Sequence, residues 1–113
     1  MSAVALALLP CLPAKADFVP ATLTTTGCFI EVELDSIVKY RDGTRKFISR
    51  EIEGYRLKEI SLEVVDCYYP RAMFLAKYNI RAKAWIVDPD PQWYSLSRTP
   101  AGMGLQVFVC SQP

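Results

Sequence analysis

Thiols and carboxylates are the residue types in this sequence most able to do chemistry, because the sequence contains no histidine. The lack of histidine excludes the usual Ser-His-Asp and Cys-His forms of nucleophilic catalysis and removes the commonest metal ligand. The cysteines, at positions 11, 28, 67 and 110, are too far apart to resemble a zinc site. No glycine-rich phosphate loop is present either. We therefore predict that the protein binds no cofactor and is not an enzyme.

The carboxylates occur in two pairs on predicted strands, Glu31 with Glu33 and Glu59 with Glu63. Paired carboxylates can perform acid–base catalysis. A later predicted strand carries three basic residues, Lys77, Arg81 and Lys83. Opposite charges on neighbouring strands stabilise a sheet by a few tenths of a kcal/mol or more. We therefore interpret the carboxylates as part of a charged outer sheet face that points to solvent.

Basic and aromatic side chains supply the candidate ligand contacts. The basic residues flank the Asp42-Gly43 dipeptide and are Lys39, Arg41, Arg45, Lys46 and Arg50. The aromatic residues stand beside prolines and are Tyr68, Tyr69, Trp93 and Tyr94. Aromatic residues of this kind anchor protein interfaces, and the basic group could contact an acidic protein, a sulfated glycan or a lipid head group. A solvated hairpin tip and aromatic plugs over the core edge remain the alternatives.

Alternating apolar residues predict the strands that position these side chains. Strands are expected over residues 28–34, 37–41, 44–52 and 57–67, followed by one long strand, or two joined near Asn79, over residues 72–87. Asp42-Gly43 predicts a hairpin turn, since glycine tolerates a positive φ. In the fourth strand Ile60, Leu62 and Val64 are expected to face the core. The adjacent apolar pair Val64-Val65 predicts a β-bulge there.

The C-terminal segment carries a helix-start signal. Thr99 offers a hydroxyl cap and Pro100 suits the first helical position, which predicts a helix over residues 101–110. Gly102 and Gly104 weaken this prediction, and a strand is the alternative. The fold class predicted is α+β, with an antiparallel β-sheet of five to six strands and a C-terminal helix packed on one face.

The N-terminus has the pattern of an export signal. The apolar run Ala3–Leu12 is followed by the small-x-small motif Ala14-Lys15-Ala16, which predicts a signal peptide over residues 1–16. The run is too short to cross a bilayer, which takes roughly 20 residues as a helix. Residues 17–27 are expected to form a flexible arm and residues 28–113 the folded domain. Cleavage would leave 12 basic and 12 acidic residues, a balance that argues against nucleic-acid binding.

Export would place the remaining cysteines, Cys28, Cys67 and Cys110, in an oxidising compartment. Three pairings are possible, and each leaves one thiol over. We favour Cys67 with Cys110 because both follow strongly apolar runs and should lie at the edge of the core. Such a bridge would stabilise the domain by about 4 kcal/mol. Cys28 is then either a buried free thiol or a bridge between two copies.

Four short motifs resemble those of the surface-adhesin protein E-like family of bacterial envelopes. They are Val32-Glu33-Leu34-Asp35-Ser36-Ile37, Asp42-Gly43, Val65-Asp66-Cys67 and Val109-Cys110. The resemblance implies a small α+β fold, a Cys67–Cys110 bridge, an envelope location and, in many members, a dimer. Phe29 stands where the family often has tryptophan, and Cys28 is an additional cysteine.

These observations predict an exported bacterial envelope domain that acts as a non-enzymatic binding or adhesion module for protein or glycan ligands. Its expected location is the periplasm or, after secretion, the cell surface. The alternative is a structural or assembly factor of the envelope that dimerises through a sheet edge or through Cys28. A third class, an inhibitor or an enzyme with an unfamiliar site, would be indicated by an open cleft holding a buried carboxylate with a strongly perturbed pKa.

Overall fold

An antiparallel sheet and one C-terminal helix make up the part of the chain that the computed structural model describes, residues 17–113. The strands are β1 (Phe18–Leu23), β2 (Phe29–Glu33), β3 (Val38–Lys39), β4 (Thr44–Glu53), β5 (Arg56–Asp66), β6 (Arg71–Asn79), β7 (Ala84–Val87) and β8 (Tyr94–Ser95), and the helix is α1 (Pro100–Cys110). Six strands follow the order β1-β2-β4-β5-β6-β7, while β3 pairs with β4 and β8 with β6. The predicted α+β class is confirmed. The predicted signal peptide lies outside the described residues.

The N-terminal arm predicted over residues 17–27 needs a correction. Phe18–Leu23 forms β1, which pairs antiparallel with β2 in a register that runs from Phe18 opposite Glu33 to Leu23 opposite Phe29. The arm contains β-branched residues but no clean alternation, because the register shifts between Pro20 and Thr22. That irregularity hides the period of two by which a strand is recognised in a sequence.

The β3–β4 hairpin turns at Asp42-Gly43, as predicted. Gly43 has a φ of +86°, which a residue with a side chain rarely adopts. The Asp42 carboxylate accepts hydrogen bonds from the Thr44 hydroxyl at 2.6 Å and the Thr44 backbone N–H at 2.9 Å. These two bonds lower the pKa of Asp42, the hydroxyl having the larger effect. The turn is therefore fixed by a local side-chain cap as well as by the glycine.

Both faces of the central strand β5 are covered. On the side of α1, a buried cluster combines sheet and helix residues: Val32, Phe47, Val65, Ala72, Leu96, Leu105 and Val109. On the opposite side lies a second buried cluster: Ile48, Ile60, Leu62, Val64, Met73, Leu75 and Ala76. Val64 and Val65 are adjacent and both fully buried because each points into a different cluster. The bulge predicted at Val64-Val65 is therefore wrong, since β5 pairs with β4 in continuous register at both residues.

The irregularity lies in β6 instead. Leu62 pairs with Ala76 but Glu63 pairs with Phe74, so Leu75 is an extra residue on β6. This bulge puts Ala72 in the cluster beside α1 and Ala76 in the cluster on the other side. Ala72 and Ala76 therefore lie on opposite faces of the sheet, although they are an even number of residues apart. Of the two alternatives for residues 72–87, the two strands joined near Asn79 are confirmed, because β6 ends there and β7 returns beside it.

Residues 100–110 form a helix, not the alternative strand. The Thr99 hydroxyl accepts a hydrogen bond from the Gly102 N–H at 3.0 Å, and Pro100 occupies the first turn. The two helix glycines sit where α1 touches its neighbours closely. A Cβ atom at Gly102 would lie 2.5 Å from the Leu96 carbonyl oxygen, and one at Gly104 would lie 2.7 Å from the Thr22 hydroxyl oxygen. Both glycines therefore serve close packing, at the expense of helix propensity.

The end of α1 is tied to the end of β5. The Cys67–Cys110 disulfide is present, with the two Cα atoms 5.7 Å apart, as predicted. Arg45 reinforces this end, because its guanidinium donates hydrogen bonds to the carbonyl oxygens of Val109 at 2.8 Å and Gln112 at 2.7 Å. Cys28 is a fully buried free thiol, the first of the two roles expected for it. Among the described residues, no helix has the length and apolar character needed to cross a membrane.

Candidate functional site

Two regions of the structure place chemically distinctive side chains together. The first is an exposed surface around Tyr68 and Tyr69, which follow β5. Their relative exposures are 76% and 64%, unusually high for large aromatic residues. The Tyr68 ring lies against Gly43, where any Cβ atom would collide with it, and the Cys67 N–H donates to the Gly43 carbonyl at 3.0 Å. The aromatic loop and the β3–β4 hairpin tip are thus neighbours.

Asp66 holds the backbone of this loop. Its carboxylate accepts hydrogen bonds from the backbone N–H groups of Tyr68 at 2.8 Å and Tyr69 at 3.2 Å, and from the Arg71 guanidinium at 2.9 Å. Burial raises the pKa of Asp66, but these hydrogen bonds and the Arg71 charge outweigh it and hold the pKa below its usual value. From α1, the Gln106 side-chain amide donates to the carbonyl oxygens of Asp66 and Tyr69. The tyrosines therefore project from a fixed backbone.

Arg71 extends this region to Trp93. Its guanidinium lies 4.3 Å from the centre of a Trp93 ring and 5.6 Å from that of Tyr69, within the range of cation–π contacts. Arg41, on the hairpin tip beside Gly43, is exposed. We call Arg41, Tyr68, Tyr69, Arg71 and Trp93 the tyrosine surface. It brings together members of both candidate groups that the sequence suggested.

The basic candidates are not gathered in one patch. Lys39 and Arg41 are exposed, whereas Arg45 is engaged with the end of α1. Lys46 is buried, at 8% exposure. The Arg50 guanidinium pairs with the Glu31 carboxylate at 2.6 Å and lies 4.3 Å from the centre of the Phe18 ring. Residues 45 and 46 point to opposite faces of β4, which is why a cluster in the sequence is dispersed in the fold.

The second region is a cleft of about 190 Å³ between α1 and the sheet. The first turns of α1 and the segment 94–99 form one side, and strands β1, β2, β4, β5 and β6 form the other. Its apolar lining includes Ile30, Phe74, Leu96 and Leu105, and its polar lining includes Thr22, Ser49, Arg50, Glu51, Glu59, Ser61, Glu63, Tyr94, Ser95 and Thr99. An apolar cleft with a few convergent polar groups is the usual form of a ligand site.

Glu63 lies at the floor of this cleft. It is 3% exposed, and its two carboxyl oxygens accept hydrogen bonds from the Ser49 hydroxyl at 2.7 Å and the Tyr94 hydroxyl at 2.9 Å. Burial raises the pKa of Glu63, although both hydrogen bonds oppose that rise. The pKa of Tyr94 is raised as well, first by burial and then by the neighbouring Glu63. The expectation that Glu63 points to solvent is wrong, because α1 covers this face of the sheet.

Tyr94 is separated from the aromatic residue that precedes it. Its ring stacks on Phe74, with the ring centres 5.3 Å apart and the planes 11° from parallel. Trp93 belongs to the tyrosine surface, while Tyr94 lines the cleft, since consecutive residues of an extended segment point to opposite sides. Of the nine predicted contact residues, Arg50 and Tyr94 line the cleft.

Two further carboxylates, Glu51 and Glu59, line the cleft, and each forms an ion pair with a lysine. Glu51 and Glu59 are directly opposite each other on β4 and β5. The Lys58 ammonium lies 3.6 Å from Glu51, and the Lys77 ammonium lies 2.7 Å from Glu59. The predicted cross-strand pairing of the second carboxylate pair with Lys77 is thus confirmed for Glu59. Glu63 has no such partner within residues 17–113, where no lysine or arginine forms an ion pair with it.

The cleft has the feature that would indicate the third functional class, a buried carboxyl group with a perturbed pKa. Glu59 and Glu63 are four residues apart on one strand, a span of about 13 Å, which exceeds the separation of about 5–9.5 Å between catalytic carboxylates in glycosidases. Glu51 and Glu59 are directly opposite and therefore closer, and each is paired with a lysine. Nowhere in residues 17–113 do three His, Cys, Asp or Glu side chains gather so as to hold a metal ion. The polar groups of the cleft can bind a ligand through hydrogen bonds and charge.

Comparison of the chain with protein-family models, with curated proteins and with solved structures finds no match. The resemblance to the surface-adhesin protein E-like family stays a prediction that rests on the sequence motifs.

Proposed function

We propose that this chain is an exported envelope domain that binds a protein ligand through the tyrosine surface and does not catalyse a reaction. The observation that carries the proposal is the pair Tyr68 and Tyr69, exposed at 76% and 64% on a backbone held by Asp66 and Gln106. Tyrosine, tryptophan and arginine are the residues most enriched among those that dominate binding energy at protein interfaces. Tyr68, Tyr69, Trp93 and the two arginines of the tyrosine surface belong to these three types.

The fixed backbone of the loop matters for affinity. Binding costs free energy when loops and side chains become ordered, and a loop that is already ordered avoids much of that cost. Tyr68 and Tyr69 contribute large contact areas while losing only two side-chain torsions each. The Cys67–Cys110 disulfide adjoins the loop and limits its movement further. A preorganised aromatic loop of this kind supports a binding role.

Export is supported by the disulfide and by the predicted signal peptide. Disulfides persist in secreted, periplasmic and surface proteins and are rare in the reducing cytosol. The periplasm or the cell surface is therefore the proposed location. A protein ligand is favoured over a glycan because Arg41 is exposed on the hairpin tip beside the aromatic loop, and arginine forms bidentate contacts with carboxylates.

The test is a double substitution, Tyr68→Ser with Tyr69→Ser, examined with immobilised protein and with envelope and host-matrix extracts. Central interface tyrosines cost about 2 kcal/mol or more when truncated, so retention of the specific ligand should fall at least about 30-fold. The matched control is Tyr55→Ser, because Tyr55 is fully exposed on the β4–β5 turn, away from this surface. Equal retention by the double variant and the wild type would refute the proposal. Selective binding to a glycan array, lost in the double variant, would replace the protein ligand with a glycan.

A second candidate function is a structural or assembly factor that dimerises through the β7 edge. β7 is the last strand of the sheet path in the described residues, and its Ile86 is 59% exposed. An exposed apolar edge strand can pair with another chain. Sedimentation equilibrium tests this: a dimer that dissociates in Ile86→Lys would support it, and a monomer at all concentrations would exclude it. Cys28 does not support a bridge between copies, because it is fully buried.

A further inference from the structure

We propose that the cleft between α1 and the sheet is a second binding site, specific for a primary alkylammonium group. In this arrangement the ammonium lies against the carboxyl group of Glu63, and its alkyl stem lies along Phe74 and Leu105. This site is separate from the tyrosine surface and does not depend on the function proposed for that surface. Three properties of the cleft support the assignment: an unpaired acid at the floor, an acidic lining and an aromatic wall.

The acid at the floor is the first property. Glu63 is buried in the middle of β5, and within residues 17–113 the side chains that hydrogen-bond to it are the hydroxyls of Ser49 and Tyr94. Buried acids are normally paired with a cation, because an uncompensated buried charge is costly. Ionised carboxylates offer about four acceptor positions, and only two are used here. An ammonium group has three donors and no acceptor, so it complements the unused positions.

The acidic lining is the second property. Glu51 and Glu59 add two carboxylates to Glu63 along the cleft, and each already has one lysine partner on its outer side. The covering helix α1 contains no basic residue. Arg50 also lines the cleft, and its guanidinium is paired with Glu31 at 2.6 Å. An anionic ligand would therefore meet carboxylates beside cations that are already paired, whereas a cation can pair with Glu63. A cation with an apolar stem also matches the apolar lining, which includes Ile30 and Leu105.

The aromatic wall is the third property. Phe74 and Tyr94 are stacked, and the Lys77 ammonium already lies 5.3 Å from the centre of the Phe74 ring. Lys77 thus already makes the cation–π contact that the Phe74 ring offers. For a bound ligand the wall supplies apolar contact with the alkyl stem, while the ammonium group pairs with Glu63.

Binding at this site should release a proton. In the unliganded cleft, burial raises the pKa of Glu63 and favours its neutral form. When an alkylammonium binds, the carboxyl group gives its proton to solvent and the resulting carboxylate pairs with the ammonium. The charged and titratable neighbours of Glu63 are Glu59 on its own strand, Arg50 and Glu51 on β4, Lys77 on β6 and Tyr94 on β8, and α1 supplies none. Affinity should therefore rise with pH until Glu63 is ionised in the free protein.

The experiment is calorimetric titration of the disulfide-bonded protein with n-butylamine, in buffers that differ in ionisation enthalpy. Below the pKa of Glu63 we expect release of about one proton for each amine bound, declining to none above it. 1-Butanol, the neutral analogue, should bind at least about tenfold more weakly. Absence of butylamine binding, equal binding of 1-butanol, or binding without proton release below that pKa would overturn the proposal. These wild-type measurements need no variant that folds.

Substitutions then test whether Glu63 forms the binding site. Glu63→Gln keeps the shape and the hydrogen bonds to hydroxyls but removes the charge, so butylamine affinity should fall roughly 10- to 100-fold and proton release should disappear. Glu33→Gln is the matched control, because Glu33 is a buried carboxyl group at 5% exposure outside the cleft, and it should bind as the wild type does. Unchanged affinity in Glu63→Gln would overturn the assignment. The Tyr68→Ser, Tyr69→Ser variant should keep full butylamine affinity, which separates this test from that of the tyrosine surface.

The source of the ammonium group is decided by a second ligand, Nα-acetyl-lysine methylamide. Tighter binding of this compound than of n-butylamine identifies the lysine side chain of a peptide as the occupant. Tighter binding of n-butylamine identifies a free alkylamine, because the peptide groups then clash with the walls formed by α1 and the segment 94–99. Both results retain the alkylammonium site and differ only in what delivers the group.

Discussion

The Cys67–Cys110 bridge gives the prediction with the best-defined magnitude. Replacing both cysteines by serine removes a cross-link between residues 43 apart in sequence. The chain-entropy relation then gives a loss of about 4 kcal/mol in the free energy of unfolding. That loss is a large share of the 5–15 kcal/mol typical of a domain. For a domain of this size it corresponds to a fall in melting temperature of roughly 15–30 °C.

The loss should arise mainly in the unfolded state. In the folded protein, α1 keeps its other attachments without the bridge: Arg45 bonds the carbonyls at its end, and Gln106 bonds those of Asp66 and Tyr69. The unfolded variant, free of the cross-link, is more expanded and exposes more surface. Urea unfolding followed by tryptophan fluorescence should therefore show a lower midpoint together with a larger m-value.

The control for this prediction is Cys28→Ser, which also removes a sulfur but no cross-link. Any loss of stability in Cys28→Ser should come only from the changed side chain at this buried position, and the m-value should stay unchanged. The reasoning about the bridge is refuted if the double variant loses less than about 1 kcal/mol with the wild-type m-value. A double variant that keeps its midpoint would show that the packing of α1, and not the cross-link, fixes the C-terminal end.

Three further predictions concern single positions. Gly43→Ala should destabilise the domain by about 1–3 kcal/mol, because its φ is positive and the new Cβ collides with the Tyr68 ring; an unchanged urea midpoint would contradict this. Thr99→Ala should lower the free energy of unfolding by about 1 kcal/mol, because the helix cap is lost. Thr99→Ser should keep most of the wild-type stability, because serine also offers a hydroxyl cap. Because the pKa of Glu63 is raised in the folded state, the contribution of Glu63 to stability is largest below its unfolded pKa and is lost as pH rises through its folded pKa. Glu63→Gln should remove this contribution from the pH dependence of urea unfolding. A pH dependence identical in the variant and the wild type would refute the role of Glu63.

Local signals in the sequence were sufficient to predict several elements of the fold. The Thr99-Pro100 start of α1 and the Asp42-Gly43 hairpin follow from cap and turn chemistry that acts within a few residues. The Cys67–Cys110 pairing followed from two apolar runs that each end in a cysteine. These features were predictable because their causes lie close together in the sequence or act through a single strong constraint.

The environment of Glu63 was not predictable in the same way. Alternation along β5 shows that one face is apolar, but not that α1 covers the other face. A signal was present in Val64-Val65, because two adjacent buried valines indicate a strand covered on both sides. The bulge at Leu75 in β6 was not predictable either, because it is set by pairing with β5 and leaves no mark in the alternation of residues.

One of the two glycines of α1 sets the width of the cleft. Gly104 lets the helix backbone approach Thr22 on β1, across the cleft, whereas Gly102 contacts Leu96 on the same side as the helix. A methyl group at position 104 would act as a spacer and lift the helix away from the strands. A chain with alanine at this position would therefore have a wider cleft with its other lining residues unchanged.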